Sequence, residues 1–235
     1  WLDDFALFML FREMYEGKSW NEWPENIRDR NQSILQNYAE EHKDELGFTK
    51  FCQFIFMRQW QNLKNYANEN GVSIFGDIPI YINYDSADVW ANTEMFRLNE
   101  DKEMETVAGV PPDYFNNEGQ LWGMPIYRWD RMKADGYKWW IARLKKNLEL
   151  FDLLRIDHFR GLSKYWEVPA GEKNAIHGKW IEGPGDSFFD ELKKHFPDRP
   201  VVAEDLGDID QPVYDLRDRY DLPGMKILQF AFGDN

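Results

Sequence analysis

The sequence predicts an α/β fold on a parallel sheet, either a (β/α)8 TIM-type barrel or a doubly wound sheet. Three observations carry this reading. Helix-like and strand-like segments alternate from residue 135 onward at the spacing of βαβ units. The strand-like segments are apolar runs without alternation, the pattern of strands buried on both faces. No G-x-G-x-x-G loop follows any of them, which disfavours the nucleotide-binding version of the doubly wound sheet.

Taken in order, residues 2–15 and about 29–70 read as helices. Apolar residues in the second stretch recur every three to four positions, with Gly47 as an interruption and Gly71 as a stop. "VSIFGDIPIYI" (72–82) is a β-rich strand. Residues 84–133 lack strong periodicity and are rich in Pro, Asn, Asp and aromatics; a loop of that length in a compact domain is usually functional. "DGYKWWIARLKKNLELF" (135–151) is an amphipathic helix and "DLLRIDHF" (152–159) a strand. A loop over 162–186 precedes a helix at 187–196, a strand at 199–207, a helix at 211–221 and a fourth strand, "KILQFAF", at 226–232.

The chain has 235 residues, 43% of them hydrophobic, enough for a packed core. Its 28 basic and 42 acidic residues give a net charge of -14, which argues against nucleic-acid or anionic-membrane partners. The single Cys52 excludes a disulfide framework and fits a reducing cytoplasm. No apolar run approaches the roughly 20 residues of a membrane span. With no initiator methionine, the sequence is expected to begin inside a longer protein.

Three of the four strand segments end in carboxylates: Asp77, Asp157, and Glu204 with Asp205. In a parallel barrel all C-terminal strand ends open on one face, where active sites are assembled. Taken singly, such an acid is usually a helix N-cap or a loop anchor, a reading that three in succession weaken. Period-two geometry puts Arg155 on the same face as Asp157, so a guanidinium should hold that carboxylate ionised. Asp205 should point away from Glu204's face. Glu204, with no obvious cation beside it, is expected to have a raised pKa and to act as a proton donor. One charged and one protonated carboxyl is what glycoside chemistry needs. A Mg²⁺-dependent barrel lyase or isomerase is the rival reading, weakened by Arg155 beside Asp157 and by the lack of a strand-end lysine. His158 alternates away from Asp157 and reads as a packed or hydrogen-bonding residue. Cys52, inside "FCQFIFM", is expected in the core.

Aromatic residues make up 17% of the chain, including 11 Trp. Trp20, Trp23, Trp122, Trp129 and Trp180 lie in polar, irregular stretches, where flat faces suit sugar rings as well as a core. "GVPPDYFNNEGQLWGMPIYRW" (109–129) concentrates them, stiffened by Pro111 and Pro112. Hung over a barrel mouth, this loop would stack on sugar and exclude water; otherwise its aromatics bury it against the rim. A protein that only binds glucan through these rings is a third reading.

Several long motifs then stand in order: "WLDDFALFMLFREMYEGKSWNEWP", "GDIPIYINYDSADVW", "GVPPDYFNNEGQLWGMPIY", "LLRIDHFRG", "VVAEDLG" and "LPGMKILQFAF". Across essentially the whole chain they resemble the 4-α-glucanotransferases (amylomaltases, or disproportionating enzymes) of the α-amylase superfamily. The resemblance implies a (β/α)8 barrel with inserted helical and loop subdomains, residues 1–70 and 84–133 supplying such parts. It implies retaining transfer from an α-1,4-glucan to another glucan's 4-hydroxyl, with glucans and maltooligosaccharides as partners and no cofactor or metal. By this match Asp157 is the nucleophile, Glu204 the general acid/base, Arg155 the supporting arginine and Asp77 a substrate-site aspartate. Tyr114 and Phe115 fall in the loop over the donor and acceptor sites, and with Trp122 and His158 they complete the candidate substrate-binding set. The family's third carboxylate lies in a His-Asp-Asn motif at the seventh barrel strand; Asp234, in the terminal "FGDN", does not match it. The chain is therefore expected to be a central part of the barrel, about strands three to six, inactive and poorly soluble alone.

Overall fold

The computed structural model describes residues 1–232 except Phe115, Arg199 and Asp208, together with all their side chains except that of Phe230. Asp234 lies outside these residues. Four helices come first: α1 (Leu2–Met14), α2 (Glu25–Arg28), α3 (Gln32–Glu41) and α4 (Lys43–Glu69). The predicted helical stretch is thus broken at Asp29–Asn31 and again at His42, whereas α4 runs unbroken through Gly47. The Asn31 side chain accepts the Ile34 N–H at 3.3 Å and so starts α3. Gly71, with φ of +74°, ends the run as expected.

The chain continues through β1 (Phe75–Pro79), α5 (Ala87–Ala91), β2 (Thr106–Val110), β3 (Gln120–Pro125), α6 (Trp129–Ala134), α7 (Lys138–Leu150) and β4 (Leu153–Asp157). Then follow β5 (Lys164–Pro169), β6 (Lys179–Glu182), α8 (Asp186–His195), β7 (Val201–Ala203) and α9 (Gln211–Arg219). Among the described residues the strands form two sheets. One is parallel, ordered β1-β4-β7; the other is antiparallel, ordered β3-β2-β5-β6.

The parallel sheet and its helices follow the predicted α/β alternation, with three corrections. Residues 228–232 form a 3-10 helix, not a fourth strand. Burial alternates along β1 and β4: Ile78, Leu154 and Ile156 are buried, while Phe75, Asp77, Arg155 and Asp157 lie on the more open face. An apolar run therefore reflected one buried face plus a functional one. The segments 84–133 and 162–186, read as loops, carry the antiparallel sheet, because its pairings (Gly109 with Trp166, Trp166 with Trp180) join residues too far apart for local periodicity to reveal.

The core lies between the parallel sheet and its helices and is strongly aromatic. Phe11, Trp20, Trp90, Trp140, Phe188 and Phe189 are all fully buried in it. A cationic tie joins α4 to the end of α7: the Lys64 ammonium donates to the carbonyls of Leu148, Glu149 and Phe151 at 3.4, 3.3 and 3.0 Å. It thereby satisfies carbonyls that α7 leaves unpaired at its C-terminus. Cys52 is exposed, a correction to its expected core position: α4 turns Phe48, Phe51, Cys52, Leu63 and Tyr66 outward and anchors itself through Trp60 and Lys64. No helix among the described residues is long and apolar enough to cross a membrane.

Candidate active site

Register places the charged residues of the parallel sheet. Asp77 of β1 lies opposite Arg155 of β4, which lies opposite Val202 of β7; Pro79 lies opposite Asp157, and Ile156 opposite Ala203. In-register residues of parallel neighbours share a face, so Asp77, Arg155 and Asp157 project together, and Glu204 follows β7 beside Asp157. The Glu204 N–H donates to the Ile156 carbonyl at 3.1 Å, extending that pairing past the end of the strand.

Arg155 joins the two aspartates. Its Nη1 donates to Asp77 Oδ1 at 2.7 Å and its Nη2 lies 2.5 Å from Asp157 Oδ1. Burial opposes the guanidinium's charge, but the two carboxylates outweigh it and raise the Arg155 pKa further. Both charges at the end of this apolar strand are thus partnered. Among the described residues no group of three or more His, Cys, Asp or Glu is arranged to hold a metal ion.

Glu204 is fixed by the backbone. Its Oε2 accepts the His158 N–H at 3.0 Å and its Oε1 the Leu206 N–H at 3.0 Å. Asp205 points away as expected: it is buried, ion-paired with Arg217, and accepts the Met225 N–H at 2.8 Å. One acid of the Glu204-Asp205 pair faces the open side, and the other staples α9 and the following turn.

The chain leaves β4 through His158 in the left-handed conformation, φ +52°. This turns the imidazole back toward the site, not away from it as strict alternation predicts. Its ring meets Trp122 edge-on with centroids 4.7 Å apart. Burial, helped by the Arg160 charge, holds its pKa down at about 4, so the ring is neutral near pH 7.

These groups open into a cleft of about 550 Å³, within the range of small-ligand sites (roughly 300–1,000 Å³). The lining draws on Arg155, Asp157, His158 and Glu204 at the strand ends, on Pro111, Pro112, Gln120 and Trp122 from the β2–β3 hairpin, and on Arg160, Lys164, Trp180 and Asp210. The hairpin turn is closed by Asp113, which accepts the Asn116 N–H at 2.7 Å, and by Gly119. A Cβ at Gly119 would lie 2.4 Å from the Val110 carbonyl oxygen, so only glycine fits.

Of the predicted site residues, Asp157, Glu204, Arg155, His158 and Trp122 line the cleft together. Asp77 stands beside it, bonded through Arg155. Tyr114, 95% exposed at the hairpin tip, is not part of the lining. Phe115 lies outside the described residues. The five tryptophans of polar stretches divide: Trp20, Trp23 and Trp129 are core, whereas Trp122 and Trp180 line the cleft. Gln120, Arg160, Lys164 and Asp210 were not anticipated. The signal pointing to these four was Trp180 itself, but without β5 and β6 it had no location.

Comparison with known proteins agrees with these features. The sequence profile of a family described as 4-alpha-glucanotransferase matches residues 1–235. A 4-alpha-glucanotransferase of Aquifex aeolicus is 47% identical over 234 residues, covering 100% of this chain and 48% of that protein. One of Thermus thermophilus is 49% identical, covering 100% of this chain and 47% of that protein. The chain thus spans about half the length of the curated relatives it matches. Among solved structures, the amylomaltase of Streptococcus agalactiae in complex with acarbose superposes with a TM-score of 0.95 at 41% identity, covering 100% of this chain and 48% of that one. The amylomaltase of Corynebacterium glutamicum, at 22% identity and a TM-score of 0.73, shares the fold.

Proposed function

The chain belongs to the 4-alpha-glucanotransferase family, and we propose that the protein it comes from transfers segments of α-1,4-glucan between chains with retention of configuration. Glu204 gives its proton to the leaving 4-oxygen while the Asp157 carboxylate attacks C1 from the opposite face. The C1–O4 bond breaks, and a β-glucosyl ester forms on Asp157. An acceptor 4-hydroxyl then gives its proton to Glu204 and attacks C1, displacing the Asp157 carboxylate and restoring the α linkage. Microscopic reversibility lets one residue serve as acid and then base.

The observation that carries this reading is the bond from the His158 amide to Glu204, which holds an acid beside the strand end bearing Asp157. Arg155 orients the nucleophile and ties it to Asp77. The hairpin wall, with Trp122, favours a sugar acceptor over water. Tyr114, at the exposed hairpin tip, is positioned to cover bound glucan.

The three-stranded parallel sheet is part of a (β/α)8 barrel, with β1, β4 and β7 as consecutive strands and the antiparallel sheet as a rim subdomain. The third carboxylate expected for the family belongs to a part of the barrel outside this chain. A reducing cytoplasm is the proposed compartment, resting on the single cysteine.

The test is glucose release from maltotriose by the full-length protein. Wild type should disproportionate maltotriose in the presence of EDTA, and Asp157→Ala should abolish this while retaining glucan binding. Undiminished transfer by Asp157→Ala would overturn the assignment, and activity lost to EDTA would favour a metal-dependent reaction.

A further inference from the structure

We propose that Trp180, with Arg160 braced against it, forms an outer glucose subsite in the cleft and gives the enzyme a preference for longer chains; this rests on the glucan transfer assigned above. Arg160 stands three residues beyond Asp157, on the 3-10 turn Phe159–Leu162. Its guanidinium carbon lies 4.3 Å from the Trp180 ring centroid, and Nη2 reaches toward Asp210 Oδ2 at 3.8 Å. One arginine side chain therefore links the strand end bearing the nucleophile to an indole on β6. That indole lines the same cleft as Asp157 and Glu204.

The indole is held for this use. Trp166 lies directly across the β5–β6 pairing, with its ring centroid 5.2 Å from that of Trp180 at 70°. Trp166 is itself anchored, its Nε1 donating to the Ala175 carbonyl at 2.8 Å. With Trp166 and Arg160 against it, Trp180 still lines the cleft and remains 39% exposed. A large aromatic left in a wet cleft and fixed by its neighbours is the platform a pyranose needs, since the apolar C–H face of the sugar stacks while its rim hydroxyls stay polar. The rim donors and acceptors are present: Arg160, Asp210, and Lys164, which lies 3.3 Å from Glu182 on the same strand pair.

Binding energy at such a remote subsite acts on long donors that reach it and is unavailable to short ones that do not. The experiment compares kcat/KM for maltoheptaose and maltotriose in the full-length protein. For Trp180→Ala the maltoheptaose-to-maltotriose ratio should fall at least about threefold, mainly through KM, while Trp180→Phe should keep most of it. A ratio unchanged in Trp180→Ala overturns the proposal, as does an equal fall for both substrates, which marks a merely structural role. Should the wild type fail to transfer, the assigned reaction falls on its own. Calorimetric titration with maltoheptaose then decides on Trp180: weaker binding by Trp180→Ala supports the subsite, and equal binding removes it.

Discussion

Glu204 Oε2 accepts the backbone N–H of His158 at 3.0 Å, so the carboxylate of one strand end is held by the amide that follows Asp157 at the end of the neighbouring strand. This bond crosses between β7 and β4, whose in-register pairing already aligns Ala203 with Ile156. Strand pairing therefore sets the relative placement of the two strand ends, and a substitution at Glu204 that keeps a side-chain oxygen to accept an amide should leave the geometry around it largely intact.

Accordingly, Glu204→Gln in the full-length protein should retain the fold and bind maltotriose while transfer falls by roughly 10²–10⁴-fold, the usual range for losing a general acid. Glucose release measures the rate, and calorimetry measures the binding. Near-wild-type turnover would remove Glu204 from the acid role.

Arg155 holds two carboxylates with two separate nitrogens, a fork that lysine cannot reproduce. Arg155→Lys should lower kcat on the order of 10²-fold with a smaller change in KM, because the nucleophile loses its fixed orientation. Steady-state kinetics on maltotriose separates the two parameters.

His158 contributes a pH dependence of definite sign. Its pKa is about 4 when folded against 6.5 when unfolded, so between these values the unfolded chain binds more protons. Its stabilisation is present above pH 6.5 and is lost as pH falls toward 4. Urea midpoints should therefore decrease from pH 7 to pH 5, and His158→Gln should flatten that slope. An unchanged slope would exclude His158 as its source.

Lys64 is nearly buried and serves three carbonyls at the end of α7. Lys64→Met keeps the stem but not the donors, and should cost about 2 kcal/mol. Chemical denaturation monitored by tryptophan fluorescence gives this value directly.

The 235-residue chain by itself should release no glucose from maltotriose above a no-enzyme control. Support comes from the outer strands of its parallel sheet, β1 and β7, and from the exposed Phe48, Phe51, Phe54 and Phe56 of α4, surfaces that favour association. Measurable product would show that the carboxylates on this chain suffice.

The division between what was legible in the sequence and what was not follows the range of the interactions involved. Asp77, Arg155, Asp157 and Glu204 were readable because each is placed by its own strand: an apolar run, a period of two, and a charge at the end. That Asp205 turns away from Glu204's face followed from the same period. Sequence alone therefore sufficed for the chemical groups of the site, for the shared face of Arg155 and Asp157 and, through its long motifs, for the family. Tertiary structure decided which aromatics serve the core and which the cleft. Trp20 and Trp180 sit in equally polar stretches, yet one is fully buried and the other lines the site. It also decided that 226–232 is helical, that Cys52 faces outward, and that His158 turns inward through a left-handed residue. The antiparallel sheet that carries Trp122 and Trp180 to the cleft exists only through pairings between distant segments. Those pairings are favourable once the parallel sheet has brought the segments together, and nothing in their local sequence periodicity encodes them.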